Sequence, residues 1–199
     1  MVDEYDTLDV RLATAVARPG DSILVWRNNE ETWFPIEFGL SPTGYYSRKF
    51  EASPEQFWAD RLDWSKGPVN VRLIRLADVY LFAAEAAFRS NDPAKALEYV
   101  NTVRERARMC GGEGSTVPAA LAGPITFDDI IKERRMELAC EGHRFWDLVR
   151  WRMAEQELDG QQLAFNITTI YESPKNDFYP IPASEVDYMN GVLEQYEGW

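Results

Sequence analysis

Glu133, Glu137 and Glu141 recur at every fourth position inside the segment IIKERRMELACEGHRFWDLVRW, from Ile130 to Trp151, with Arg134, Arg135, Arg144 and Arg150 close by in sequence. That spacing stacks the three carboxylates along one helical face, which reads physically as a helical brace of paired charges. Thr126, followed three residues later by Asp129, forms a capping pair that starts this helix, and Gly142 is its expected end. Glu133, Arg134, Arg135, Glu137, Arg144, Asp147 and Arg150 are expected to form a partly buried ion-pair network. Breaking one partner of a buried pair costs on the order of 3 to 5 kcal/mol.

A catalytic reading of the same carboxylates exists. Glycoside hydrolysis needs two carboxyl groups roughly 5 to 10 Å apart, and neighbouring helical turns offer that separation. An Arg beside each carboxylate lowers its pKa, however, which suits a structural ion pair better than a proton donor. The structural reading is therefore preferred, and no catalytic residue is assigned.

Composition narrows the remaining classes. The net charge of -12, from 21 Lys and Arg against 33 Asp and Glu, disfavours nucleic acid and anionic lipid as partners. Cys110 and Cys140 are too few for a disulfide framework and lack the spacing of a zinc or redox pair. One histidine, His143, sits beside Gly142 at the expected helix end; alone it supports neither a two-histidine metal site nor, in that setting, a triad. Glycine-rich phosphate loops do not occur, so no nucleotide, metal or other cofactor is expected. No apolar run approaches the roughly 20 residues that span a bilayer, and Met1 to Gly20 contains no signal-peptide core.

Residues 1–68 carry many helix breakers, including Pro19, Gly20, Pro35, Gly39, Pro42, Gly44, Pro54, Gly67 and Pro68. They predict a loop-rich segment with short extended stretches at Ser22 to Trp26 and Gly44 to Phe50, and a helical turn or two over Pro54 to Leu62. From Val71 the pattern changes. Leu73, Leu76, Ala77, Tyr80, Ala83, Ala84 and Ala87 recur at helical spacing up to Ser90. Asn91-Asp92-Pro93 then reads as a turn, with Asp92 capping and Pro93 at the first helical position. In the next helix Ala96, Val100, Val103 and Ala107 form a stripe that can lie back on the first as an antiparallel hairpin. The small residues Ala84, Ala87 and Ala96, with Tyr80 and Val100 as larger packers, resemble one degenerate tetratricopeptide unit. A single unit cannot bury its own face and must pack on further chain.

The aromatic residues, 13% of the chain, admit a second use, because flat rings are what sugar-binding proteins set against the apolar faces of pyranoses. Phe145, Trp146 and Trp151 lie within helical periodicity and read as packing residues. Trp26, Trp33, Phe34, Tyr45 and Tyr46 lie in loop-like sequence and are the candidate ligand-binding residues.

The order RLADVYLFAAEAAF, ALEYVNTVRERA, IIKERRMELACEGHRFWDLVRW and FYPIPASEVDYMNGVLEQYEGW resembles the C-terminal part of the SusD/RagB family of Bacteroidetes. YDTLDVRLATAVARPGD and TGYYSRKF resemble that family's middle region. The resemblance implies a mainly α-helical fold with tetratricopeptide-like pairs. It implies a non-enzymatic, lipid-anchored protein on the extracellular face of the outer membrane, which captures oligosaccharide, or in some members peptide, for a SusC-type TonB-dependent transporter. Members are longer than this chain and carry a signal peptide and an acylated cysteine, so the chain looks like a C-terminal fragment. Their ligand residues vary, and none is carried over.

The expected architecture is thus mainly α with a loop-rich N-terminal third. One domain over 1–199 is expected, comprising a loop-rich 1–68, a helical hairpin 69–110, a helical brace 125–152 and an irregular tail 153–199 with a Pro-Ile-Pro motif. A helical-repeat module that binds a polypeptide is the alternative from a different class.

Overall fold

Asp92 and Pro93 act locally as their residue types dictate. In the computed structural model, which describes residues 9–18, 20–27, 30–35, 45–49, 70–163 and 166–199, the Asp92 carboxylate accepts from the backbone N–H of Lys95 at 3.0 Å and Pro93 opens the helix. Asn91 takes the left-handed conformation (φ 62°) that the tight turn before them requires. In chain order the elements are α1 (Val10–Ala15), β1 (Val16–Ala17), β2 (Ser22–Arg27), β3 (Glu30–Pro35), β4 (Tyr46–Ser47), α2 (Leu76–Arg89), α3 (Pro93–Cys110), α4 (Phe127–Glu137), α5 (Arg144–Arg150), α6 (Ala154–Leu158) and α7 (Ala183–Tyr188). The fold is mainly helical.

The chain divides into two compact units, Met1–His143 and Arg144–Trp199. In the first, α2 and α3 form the expected hairpin. Ala77, Leu81 and Ala84 of α2 meet Ala96, Val100 and Val103 of α3, and Ile125, Ile130 and Leu138 from and around α4 close this core. The small side chains let the helices approach closely. Tyr80 packs on Tyr99 (5.9 Å between ring centroids) and Phe88 on Phe127 (5.8 Å) at the edges of the cluster. A polar flank of α3 holds the segment before α4. The Asn101 amide brackets Leu121, donating to its carbonyl at 3.0 Å and accepting from its N–H at 2.8 Å, while Arg104 donates to the Ala119 carbonyl and Arg108 to that of Pro118.

Helix α4 starts with the expected capping box, in which Thr126 and Asp129 each accept from the other's backbone N–H. Its end differs from expectation. The helix stops at Glu137, five residues before Gly142, and Cys140 (φ 63°) and Gly142 (φ 82°) turn the chain left-handed. The cause is a cationic cap: Lys49 Nζ at 2.7 Å and Arg75 Nη2 at 2.6 Å both donate to the Glu137 carbonyl. These bonds satisfy a C-terminal acceptor and place positive charge at the negative end of the helix dipole. The expected brace over 125–152 is therefore two helices with a turn between them, and His143 precedes α5 rather than ending α4.

Helix α2 also starts later than its sequence pattern predicts. Arg75 is extended, with its guanidinium engaged at the end of α4, so the helix begins at Leu76; Val71, Leu73 and Ile74 stand exposed before it. In the N-terminal region, strands over Ser22–Arg27 and Tyr46–Ser47 lie where extended stretches are expected. Helix α1 and strand β3 lie where loop is expected. Asp9 caps α1 by accepting from the Arg11 N–H, and β2 and β3 pair antiparallel from Ser22↔Pro35 to Arg27↔Glu30. The helical turn expected over Pro54 to Leu62 lies outside the described residues.

In the second unit Leu148, Ala154 and Tyr171 form a small core with Phe145, Val149, Met153 and Leu158 around it. The Pro180-Ile181-Pro182 motif is fastened by Gln195, whose amide accepts from the Ile181 N–H at 2.9 Å and donates to the Ile181 carbonyl at 2.8 Å. Trp199 donates its indole N–H to the Lys175 carbonyl at 2.8 Å.

Candidate functional site

The carboxylates of Glu133 and Glu137, one helical turn apart on α4, are buried, and every oxygen of both receives a guanidinium N–H. Glu133 Oε1 accepts from Arg11 and Oε2 from Arg104, each at 2.5 Å. Glu137 Oε1 accepts from Arg75 at 2.7 Å and more distantly from Arg106 at 3.4 Å, and its Oε2 faces Arg11 at 3.4 Å. Beyond the helix end, Glu141 takes both the Nε and Nη2 of Arg75, at 2.6 and 2.9 Å, and pairs with Lys49. Asp9 completes the cluster, accepting from Arg11 Nη2 at 2.7 Å.

Glu133 and Glu137 do lie in a buried ion-pair network, but Arg134, Arg144 and Arg150, expected in it, pair elsewhere. Arg134 turns to the other side of α4, donating to the buried Asp78 at 3.0 Å and stacking its guanidinium over Phe82. Arg144 pairs with Glu157, and Arg150 with Asp147, both within the second unit. The three glutamates are instead neutralised from α1, α3 and the segments before α2 and after β4. Residues at i+1 and i+2 point away from position i on a helix, so Arg134 and Arg135 could not have served Glu133. The unmatched stripe of three acids was the one sequence signal that distant cations must converge on it; Arg11, Lys49, Arg75 and Arg104 themselves carried none.

Beside this cluster is a cavity of about 220 Å³ lined by Arg11, Thr14, Lys49, Arg72, Arg75, Arg106, Glu137 and Glu141. Burial pushes the Glu141 carboxyl up, but the hydrogen bonds from Arg75 and Lys49 outweigh it and hold the group below the usual carboxylate range. Burial also lowers the pKa of Lys49, which Glu141 offsets only in part. A carboxylate held ionised in this way is an acceptor and an electrostatic anchor; it does not deliver a proton at neutral pH.

Of the sequence-derived ligand candidates, Tyr46 sits in β4 opposite Ala17, half-buried, with its hydroxyl buried and without a hydrogen-bond partner among the described residues. Tyr45, next to it, is exposed. Trp26, Trp33 and Phe34 belong to the β2–β3 hairpin, where Trp26 is opposite Glu31, Trp33 opposite Leu24 and Phe34 opposite Ile23; their side chains lie outside the described residues. Neither Tyr45 nor Tyr46 lines the cavity.

The sequence profile of the SusD family matches residues 1–199. SusD-like protein P25 of Formosa agariphila is 36% identical over 125 residues, 63% of this chain and 23% of the relative. Starch-binding protein SusD of Bacteroides thetaiotaomicron is 33% identical over 133 residues, 65% of this chain and 22% of the relative. Among solved structures, surface glycan-binding protein A from Bacteroides thetaiotaomicron in complex with laminarihexaose resembles this chain with a TM-score of 0.68 at 25% identity, over 98% of this chain and 39% of that one. The chain thus spans about a quarter of the length of the curated relatives it matches, and about two fifths of the solved chain.

Proposed function

This chain belongs to the SusD family, and on that premise we propose that it takes part in non-enzymatic capture of polysaccharide-derived oligosaccharides at the extracellular face of the bacterial outer membrane, for delivery to a SusC-type TonB-dependent transporter. The observation that carries the reading is the likeness, over 98% of this chain, to a surface glycan-binding protein solved with laminarihexaose. The relative named as starch-binding supports the same ligand class.

Physical features favour binding over hydrolysis. Glycosidases need one carboxylic acid ready to donate a proton, whereas Glu133 and Glu137 have both oxygens committed to guanidinium groups and Glu141 is held ionised. Aromatic side chains at Trp26, Trp33, Phe34, Tyr45 and Tyr46 would supply the flat faces that sugar rings stack on. No helix among the described residues is long and apolar enough to cross a membrane.

The test is thermal unfolding followed by tryptophan fluorescence, alone and with laminarihexaose, maltohexaose and a mixed oligopeptide pool. A ligand at 100 times its dissociation constant adds about 2.7 kcal/mol, which raises the midpoint of a chain of this size by about 5 to 11 °C. A rise with a glucan supports the reading. A rise with the peptides alone, or with none of the probes, overturns it.

A further inference from the structure

The cluster around α4 carries more positive charge than its own carboxylates consume. Among the described residues, Asp9, Glu133, Glu137 and Glu141 face Arg11, Lys49, Arg72, Arg75, Arg104 and Arg106, four acids against six bases, in a chain whose net charge is -12. The excess can be located. Arg11, Arg75 and Arg104 are held by short ion pairs, whereas Arg106 is 61% exposed and touches Glu137 only at 3.4 Å. Arg72, also exposed, has no ion pair among the described residues. Both line the cavity.

We propose that this cavity binds the oxyanion of an acidic sugar, a uronate carboxylate or a sulfate ester, and gives the chain a preference for charged over neutral glycans. The inference rests on the glycan-binding reading above and deepens it. Guanidinium groups present planar pairs of donors that match carboxylate and sulfate oxygens, and among the described residues that line the cavity those of Arg72 and Arg106 are not spent on a carboxylate at short range. The ion pairs behind them hold Arg11, Lys49 and Arg75 in place before a ligand arrives, so few side chains need ordering on binding. Size agrees. At about 220 Å³ the cavity is below the roughly 300 Å³ at which sites for drug-sized ligands begin, so it admits a charged substituent or a single ring and leaves the rest of an oligosaccharide outside. Glu137 and Glu141 also line it, but each is already paired with Arg75 and so does not repel an incoming anion as a bare carboxylate would. The negative charge of the rest of the chain makes this recess a local exception that would draw an anionic group at low salt.

The test is isothermal titration of the whole chain and of an R72A/R106A variant with four probes: an oligogalacturonate, a sulfated galacto-oligosaccharide, a neutral galacto-oligosaccharide of the same length, and inorganic sulfate. Charge-assisted contacts of this kind predict about tenfold tighter binding of one or both acidic sugars than of the neutral one at about 50 mM salt, weakening as salt is raised. The variant is expected to lose that preference while keeping its unfolding midpoint and its affinity for the neutral sugar. The two acidic arms distinguish uronate from sulfate ester. Equal affinity for acidic and neutral sugars overturns the inference and leaves the glycan reading standing. Binding of inorganic sulfate alone, with no sugar bound, marks an adventitious ion only and overturns the acidic-sugar assignment, while the glycan reading stands or falls with the glucan probes. A preference that survives in the variant places the anion site elsewhere and overturns this one.

Discussion

Arg75 and Glu137, 62 positions apart in sequence, are joined twice: the guanidinium donates to the Glu137 carboxylate at 2.7 Å and to the Glu137 backbone carbonyl at 2.6 Å. One side chain thereby neutralises a buried acid and caps the helix that carries it. Arg75 also precedes the first turn of α2, so the same contact sets where α2 begins and where α4 ends. The ion-pair cluster is in this sense a joint between the hairpin and α4, and its residues specify geometry as well as neutralising charge.

Replacing Glu137 with Ala would leave the buried Arg11 and the half-buried Arg75 with fewer acceptors. Removing one partner of a buried pair costs about 3 to 5 kcal/mol, and the unfolding midpoint is expected to fall by about 6 to 20 °C. A fall of less than about 2 °C, read by circular dichroism, would mean that the cluster is solvated and does not act as a joint.

Two titrating groups predict opposite limbs of the stability curve. Glu141 has a folded pKa below its ordinary 4.5, so its contribution is complete above that pH and is lost as pH falls through the depressed value. E141Q is therefore expected to be less stable than the parent at neutral pH, with the gap closing on acidification. Burial, with the hydrogen bond to Asp177, pushes the Tyr171 hydroxyl up from 10.0 to about 12, so its contribution is complete below pH 10 and is lost as pH rises through about 12. Y171F should accordingly differ from the parent most below pH 10. Urea midpoints across the pH range check both, and a gap independent of pH would contradict the assignment.

The capping box at α4 gives a local prediction. Thr126→Ala removes the acceptor for the Asp129 N–H and is expected to cost about 1 kcal/mol, or a midpoint lower by about 2 to 4 °C. Thr126→Ser keeps the hydroxyl and should sit close to the parent. If the two substitutions cost the same, the hydroxyl contributes nothing.

What the sequence made legible follows from the range of the interactions. The Asn91-Asp92-Pro93 turn, the small-residue face of the hairpin and the Thr126–Asp129 cap act over three or four residues, and each appears where its pattern predicts. The end of α4 did not follow local rules, because Lys49 and Arg75 cap Glu137 from 88 and 62 positions away. For the same reason the partners of Glu133 and Glu137 were assigned to nearby arginines when they come from α1, α3 and Arg75. Val71, Leu73 and Ile74 continue the apolar pattern of α2 yet lie outside it, since the tie on Arg75 overrides their spacing. Helix α1 is six residues long, too short for periodicity to reveal. The cavity was not legible at all, because its lining is drawn from five separate stretches of chain.

The aromatic hairpin supplies the prediction that separates sugar stacking from anion binding. If Trp33, opposite Leu24 in the β2–β3 ladder, stacks on a pyranose, Trp33→Ala should weaken laminarihexaose binding by about 0.5 to 1.5 kcal/mol, roughly two- to tenfold. Trp26→Ala should act in the same direction. R72A/R106A should leave this neutral-sugar affinity unchanged, because stacking on an apolar sugar face involves no charge. Titrations at low and moderate salt decide the matter, since loss of a stacking ring is independent of ionic strength and loss of a cation is not. If Trp33→Ala leaves neutral-sugar affinity intact while the folded state persists, the aromatic hairpin is a packing element and the ligand surface lies on another part of the chain.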